Sequence, residues 1–257
     1  MPAVPTALRL ALAATGLFAT AAAARAPGDP IRLVWDEGDV AGLTSIYAPD
    51  GDRPIGVIEY HQHRKGDLLT CARIAHFADG SSDEDEAVAR IGSTLEAVSG
   101  RSIIRDRSGE TTVDLSIDVA GGHLRGSWGT GADRQTVDKA TDLPQGTYWG
   151  PLVFIVLKNF DANAEGGRVA FRTVAPTPKP YVIDLEFVRG DAARITRAGV
   201  ALDTVVFDLN PTVHWALDPL IRLVAPRSRF FVQPGEPPAL VRFTGPRNYA
   251  RAPIRID

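Results

Sequence analysis

The chain has 257 residues, 28 Lys and Arg against 31 Asp and Glu, a formal net charge of −3 and 44% hydrophobic residues. That mildly acidic balance argues against nucleic acid as a partner, because neutralising phosphates requires clustered cations and a high isoelectric point. Cys71 is the only cysteine, so an intramolecular disulfide is excluded and the fold must be held by its core, which a chain of this length can build by burying about 70% of its unfolded surface.

In chain order, the first feature is a segment with the layout of a secretory signal. Met1 to Arg9 carries one cation, Leu10 to Ala24 is an apolar run of 15 residues, and Ala24-Arg25-Ala26 fits the Ala-x-Ala cleavage pattern. The run is shorter than the roughly 18 to 20 residues needed to cross hydrocarbon, so it is read as removed and not as an anchor. Cleavage after Ala26 leaves 231 residues (257 − 26) with 26 basic and 31 acidic groups, a net charge of −5. The expectation is a signal peptide over 1–26 and a single β-rich exported domain over 27–257, periplasmic or secreted and not membrane-spanning. Cys71 is too far from the cleavage site to be a lipid-modified N-terminal cysteine, and its apolar neighbours Leu69 and Ile74 mark it as a small buried hydrophobe. Only four cations are Lys (Lys65, Lys139, Lys158 and Lys179), a bias that reads as genome composition.

From Ile31 onward short runs of β-branched and aromatic residues alternate with Gly, Asp and Pro, the spacing of an antiparallel meander. Predicted strands are Gly42 to Tyr47, Ile55 to Arg64, Leu68 to Ala78, Leu95 to Ile104, Thr111 to Val119, Leu124 to Gly129, Val169 to Val174, Tyr181 to Arg189, Ala192 to Ala198, Asp203 to Asp208, Arg229 to Gln233 and Leu240 to Gly245. Turn chemistry separates them at Asp50-Gly51, Lys65-Gly66-Asp67, Asp79-Gly80, Ser108-Gly109, Gly121-Gly122 and Arg189-Gly190-Asp191.

Two stretches break the pattern. Leu152 to Leu157 is continuously apolar behind Pro151, a natural first-turn residue, and predicts a short buried helix. Pro211 to Pro226 carries Trp215, Leu217, Leu220, Ile221, Leu223 and Val224 at helical spacing, with Pro219 forcing a bend. The fold class expected is mainly β, a single curved antiparallel sheet or half-barrel with two short covering helices. The proline-rich Ala175 to Pro180 is read as a bend within one domain, because six residues between strand-like flanks do not separate two cores. Asp83-Glu84-Asp85-Glu86 is read as a solvated turn, since hard-cation loops need interleaved Gly and backbone ligands.

Chemistry-bearing constellations are sparse. In GVIEYHQHR, strand alternation puts Glu59, His61 and His63 on one face and Ile58, Tyr60 and Gln62 on the other. Two His at i and i+2 beside a carboxylate can bind zinc or copper, but no third His or Cys ligand has a defined spacing and the polar, solvent-facing side of a half-buried sheet is the better account of the pattern; His76 is the candidate on the neighbouring strand. His214 and Asp218 are four apart on the second predicted helix, within reach of a hydrogen bond, but no Ser sits in a G-x-S-x-G elbow and nothing identifies a nucleophile. Gly126 to Gly131 lacks the strand-to-helix context and the Lys-Ser/Thr of a phosphate loop, and is read as a hairpin turn. A curved antiparallel sheet whose concave face meets apolar helices makes a cavity suited to lipids or acyl chains.

The segments GVIEYHQHRKGD, DGSSDEDEAV, SIDVAGGHLRG, DLPQGTYWG with VLKN, VAPTPKP and LVRFTGPRNYARAPIRID together resemble a family of exported bacterial β-proteins of unassigned function. The resemblance runs from about Gly56 to the last residue and implies fold and export; its motifs are turns and strand starts and carry no catalytic residues. That architecture is similar to the periplasmic lipoprotein-carrier folds, LolA-like and LolB-like, in which short helices cover a curved sheet. HWALDPLIRLVAP is longer and more apolar than that resemblance leads one to expect; as a lid, its Trp215, Leu220 and Leu223 would be the ligand-facing candidates, with Trp149 and Phe154 the further ligand-binding residues expected. Three readings result: a non-enzymatic protein holding an apolar ligand or envelope component without a cofactor; a metal-binding or metal-dependent protein using Glu59, His61 and His63; and an assembly module pairing with an envelope protein through a sheet edge.

Overall fold

In the computed structural model, the residues described are 25–160, 167–175, 181–212, 227–247 and 253–257. The strands are β1 (Ile31–Arg32), β2 (Val40–Tyr47), β3 (Pro54–Lys65), β4 (Leu68–Phe77), β5 (Ser82–Ile91), β6 (Thr94–Arg105), β7 (Thr111–Asp118), β8 (His123–Trp128), β9 (Gln135–Ala140), β10 (Arg168–Ala175), β11 (Tyr181–Arg197), β12 (Val200–Pro211), β13 (Ser228–Gln233), β14 (Ala239–Pro246) and β15 (Pro253–Ile256). One helix, α1 (Leu152–Lys158), is found among the described residues. The second predicted helix falls on 213–226, outside them.

The strands form one antiparallel sheet built from two meanders. Strands β2 to β9 pair in succession, strands β10 to β15 do the same, and β15 pairs with β2, so the sheet runs from β10 to β9 without closing into a barrel. Strand β1 pairs with the start of β6, beyond the stretch that β7 covers, with Ile31 opposite Leu95. The open side of the sheet is bridged by chain that is not regular strand. Thr147 pairs in parallel with Arg172 of β10, Ala97 N–H of β6 donates to Gln145 O, and Gly146 N–H donates to Gly28 O. The buried Tyr148 hydroxyl joins these parts, accepting from Ile31 N–H and donating to Leu95 O, both at 2.7 Å.

Strand alternation sorts the side chains. Inward residues of β4 to β8 include Leu69, Cys71, Ala87, Ala89, Leu95, Leu115, Ile117 and Leu124, all buried, and the apolar face of α1 (Leu152, Ile155, Val156 and Leu157) packs on them. Over the second meander the filling is aromatic. Phe171, Phe187, Phe230 and Phe243 stand on β10, β11, β13 and β14 with successive ring centroids 5.4, 5.2 and 4.9 Å apart, and Phe154 of α1 meets Phe230 edge-on at 6.0 Å. The outward face is polar and laced with cross-strand ion pairs: Arg101–Asp114, Arg105–Glu84, Arg125–Asp138, Arg168–Glu186, Arg172–Asp184 and Arg229–Asp208.

Several sequence expectations are corrected. The acidic run Asp83 to Glu86 is not a turn but the first half of β5. Its inward carboxylates survive burial because arginines meet them: Asp83 is held by Arg247 from beyond β14, and Asp85 by Arg73, directly opposite on β4. The stretches predicted as two strands around Arg189-Gly190-Asp191 form one strand, β11, in which those residues make a bulge against β12 and not a hairpin turn. Strands β1, β9 and β15 carried no sequence signal of length or alternation. The proline-rich residues 176–180 lie outside the description, but their flanks pair directly, Ala175 opposite Tyr181, within the same sheet.

Arg247 follows β14 and reaches β5, five strand spacings away along the sheet, a path of roughly 24 Å at about 4.8 Å per strand. The guanidinium nonetheless makes two bonds of 2.7 Å to Asp83, a third of 3.0 Å to Ser81 Oγ, and lies 3.3 Å above the Phe77 ring centre. This end of the sheet is therefore curled until β14 and β5 meet. Beside the pair sits a second small core of Ile46, Ile58, Ala75 and Ile254.

The two side chains are 9% and 7% exposed, so Arg247→Ala leaves an unpaired carboxylate in a dry site. It should lower unfolding free energy by about 3 to 5 kcal/mol in a urea titration. Replacing both partners, Arg247→Met with Asp83→Leu, should recover most of that loss, and a double variant no more stable than Arg247→Ala would refute the pair's role.

Candidate ligand-binding face

The concave face is organised in rows that run across the strands. Register aligns Gly42, Tyr60, Arg73, Asp85, Ser102 and Leu115 on β2 to β7 as one row. The next row aligns Gln62, Cys71, Ala87, Gly100 and Ile117. A polar row thus lies directly beside an apolar one. Arg73 and Asp85 are ion-paired, with 24% and 11% of their side chains exposed. At the β2 end the face is open: Gly42 is exposed, and nothing lies within 4 Å of the place a Cβ would take.

At the β6 end the face is covered. The Trp149 ring lies against Gly100, where a Cβ would come within 2.9 Å of it, so only glycine allows this approach. Of the sequence-proposed ligand residues, Trp149 is 4% exposed and belongs to the core, and Phe154 is half-buried against Phe230. Trp215, Leu220 and Leu223, with His214 and Asp218, lie outside the described residues. Sequence reasoning missed Arg73, Asp85 and the row of phenylalanines on β10 to β14; the phenylalanines sit at inward positions of predicted strands, whereas nothing in the sequence joins Arg73 to Asp85.

A narrow crevice, open to solvent and with room for little more than a water molecule, lies where the residues before β2 pass over the end of α1. Leu33, Trp35, Gln62, Leu69 and Ile155 line it, with the Lys158–Glu37 ion pair beside them. Asn159 fixes this edge: its Oδ1 accepts from the N–H groups of Val34 and Trp35 at 2.6 and 2.7 Å. Gln62, 5% exposed, donates to Gly38 O at 2.7 Å and accepts from the Tyr60 hydroxyl at 3.0 Å. Burial pushes the Cys71 thiol up to about 11, against smaller lowering effects of the Tyr60 hydrogen bond and the Lys158 charge. Burial raises the Tyr60 and Tyr148 phenols above the ordinary tyrosine range as well.

The convex face of β3 carries the other proposed set. Glu59, His61 and His63 do share one outward side, but His61 Nε2 is 3.7 Å from Glu59 Oε2 while His63 Nδ1 turns to Asp39 at 3.1 Å. His76 stands opposite Val57 on β4, two residues along from Glu59. Among the described residues no three His, Cys, Asp or Glu side chains converge as a metal-holding group. The sheet edge at β9 offers Asp138 and Lys139, charges that discourage a further strand, while Thr147 covers part of the β10 edge. No helix among the described residues is long and apolar enough to cross a membrane.

The fully buried Cys71 should resist alkylation by iodoacetamide in the native protein at pH 8 and take up one equivalent in urea, and native labelling at the denatured rate would contradict its burial. The same shift has a sign in pH. Below pH 9 the thiol is protonated in both states; between the ordinary value of 9.0 and about 11 the unfolded chain loses the proton and the native one keeps it. Stability should therefore fall as pH rises through that window, by on the order of 2 kcal/mol from the thiol alone. Chemical denaturation at pH 8 and pH 11 measures it, and Cys71→Ala should remove that part of the slope.

No protein-family model and no curated protein matches the chain. Among solved structures it is similar to the crystal structure of a beta-barrel-like protein of a domain of unknown function from Brucella abortus, at 12% identity and a TM-score of 0.45, with 88% of this chain and 96% of that chain covered.

Proposed function

We propose that this is an exported, non-enzymatic protein that holds an apolar ligand or an acylated envelope component against the concave face of its open sheet. The observation that carries this reading is the half-filled concavity. Helix α1 and Trp149 occupy the face over β5 to β8, while over β2 it stays open at Gly42, with Tyr60 of β3 half-buried beside it. On the same concave side the phenylalanines of β10 to β14 are packing and not open surface, Phe171, Phe187 and Phe230 being buried and Phe243 half-buried. The half-open concave face offers area for hydrocarbon beside a few oriented polar groups, the composition of small-molecule sites in general. Export is supported by the n-region, apolar run and Ala-x-Ala end of the first 26 residues.

Native mass spectrometry of protein purified without detergent should show a population heavier than the polypeptide by the mass of a lipid. The apolar dye N-phenyl-1-naphthylamine should brighten on binding to the delipidated protein. A single ligand-free mass together with no dye response would overturn the reading.

A further inference from the structure

The first described residues form a closed local structure. Asp29 N–H donates to Ala26 O at 3.1 Å, and Ala26 N–H donates to Asp29 Oδ2 at 3.1 Å, so the two ends of a turn hold each other through main chain and side chain. Pro27 takes its second position and Gly28, at φ +100°, its third, as a type II turn requires. Arg25 adds a bond from outside the turn, its Nη1 donating to Pro30 O at 3.0 Å.

This turn belongs to the bridge across the open side of the sheet. Gly28 is buried, its carbonyl accepts from Gly146 N–H at 2.9 Å, and a Cβ on it would stand 2.8 Å from Pro144 Cγ. A Cβ on Gly146 would fall 2.4 Å from the Gly28 carbonyl, so glycine on both sides lets the two backbones touch. From there the chain enters β1, where Ile31 N–H donates to the Tyr148 hydroxyl. Ala26 thus opens the turn that sets Gly28 against Gly146, and Arg25 braces it. Both residues make bonds within the fold.

A cut after Ala26 discards them. It removes the carbonyl that receives Asp29 N–H, the N–H that Asp29 Oδ2 accepts from, and the guanidinium on Pro30 O. It also falls on an X–Pro bond. Pro27 has no N–H to offer in an extended enzyme–substrate ladder, and its ring crowds the residue before it. The chain supplies another bond two residues earlier. Ala22-Ala23-Ala24 satisfies the same Ala-x-Ala pattern, and the bond that follows is an ordinary secondary amide to Arg25. A cut after Ala23 fits the pattern too, but it divides the alanine run, whereas the bond after Ala24 lies where the apolar run and the folded residues meet.

We propose that export processing occurs at the Ala24–Arg25 bond, so that the mature chain begins with Arg25 and keeps the whole turn. This rests on the export reading above and fixes its cleavage site. The substrate is an extended, alanine-rich segment, and the agent is a processing peptidase of exported proteins. Hydrolysis adds water across the amide. The acyl carbon of Ala24 takes the hydroxyl, the nitrogen of Arg25 takes the hydrogen, and at neutral pH the carboxyl proton passes to the new amine.

The test expresses the full chain in a Gram-negative host and reads the start of the protein released from the periplasm, by intact mass and N-terminal sequencing. The expected product starts at Arg25, two residues longer than one starting at Pro27. In Pro27→Ala the bond after Ala26 becomes an ordinary amide, and a second product starting at position 27 should appear beside the first; an unchanged pattern would refute the role given to Pro27. A periplasmic product starting at Pro27, or at any residue other than Arg25, overturns the proposal and leaves export standing. A chain that stays uncut in the cytoplasm overturns the export reading, and this one with it.

Discussion

The contact between Arg247 and Asp83 sets the shape on which everything else depends. An antiparallel sheet that does not close has no covalent or ladder constraint on its curvature, and twist alone leaves a range of shapes available to it. A buried guanidinium that must stay with its carboxylate removes that freedom at one end, because the only geometry that satisfies both groups is a tightly curled one. The stacking of Arg247 on Phe77 and its bond to Ser81 Oγ hold the planar fork in a single orientation, which lysine would not reproduce. At the open side the equivalent task falls to Tyr148, whose hydroxyl ties the β1 backbone to that of β6. Between these ties, α1 and Trp149 fill one part of the concavity, and the face stays open at Gly42 on β2.

The convex face poses the opposite problem. Among the described residues no second layer covers it, so the strands present one side to solvent throughout. Paired Arg and Asp on neighbouring strands answer this by making that side charged and locally neutral at once, as in Arg172 with Asp184 and Arg101 with Asp114. The two-pronged geometry suits Arg far better than Lys, and this gives a structural sense to the scarcity of lysine that composition alone reads as a genomic bias. Individually such exposed pairs add little stability; collectively they keep a broad sheet from stacking on another.

Much of the architecture is legible in the sequence because it is local. The turns at Lys65-Gly66-Asp67, Asp79-Gly80 and Ser108-Gly109, the alternation of β3 and the apolar run behind Pro151 each depend on residues within one or two turns of chain. What escapes is long-range. SDEDEAVARI does not look like a strand until Arg73 and Arg247 are brought to its inward carboxylates, the latter from 164 positions away. Gly190-Asp191 has turn composition, and only its fit against β12 makes it a bulge. The sequence leads one to expect an apolar concave face and gives no sign of the polar row through Arg73 and Asp85, since that row arises from the register of five strands and not from any spacing along the chain.

The joint between β15 and β2 has a consequence in time. Each meander consists of hairpins between neighbours in sequence, which close quickly, whereas β15 and β2 are separated by most of the chain and share only two paired positions, Arg255 with Tyr47 and Ile256 with Ile46. Side-chain contacts reinforce so short a ladder: Arg255 donates to Pro49 O and Gly51 O and lies over the Tyr47 ring. A chain delivered from its first residue onward, whether from a ribosome or through a pore, therefore completes both meanders' turns before this seam can form. The ladder that makes the two meanders one continuous sheet is therefore completed only when the final strand arrives.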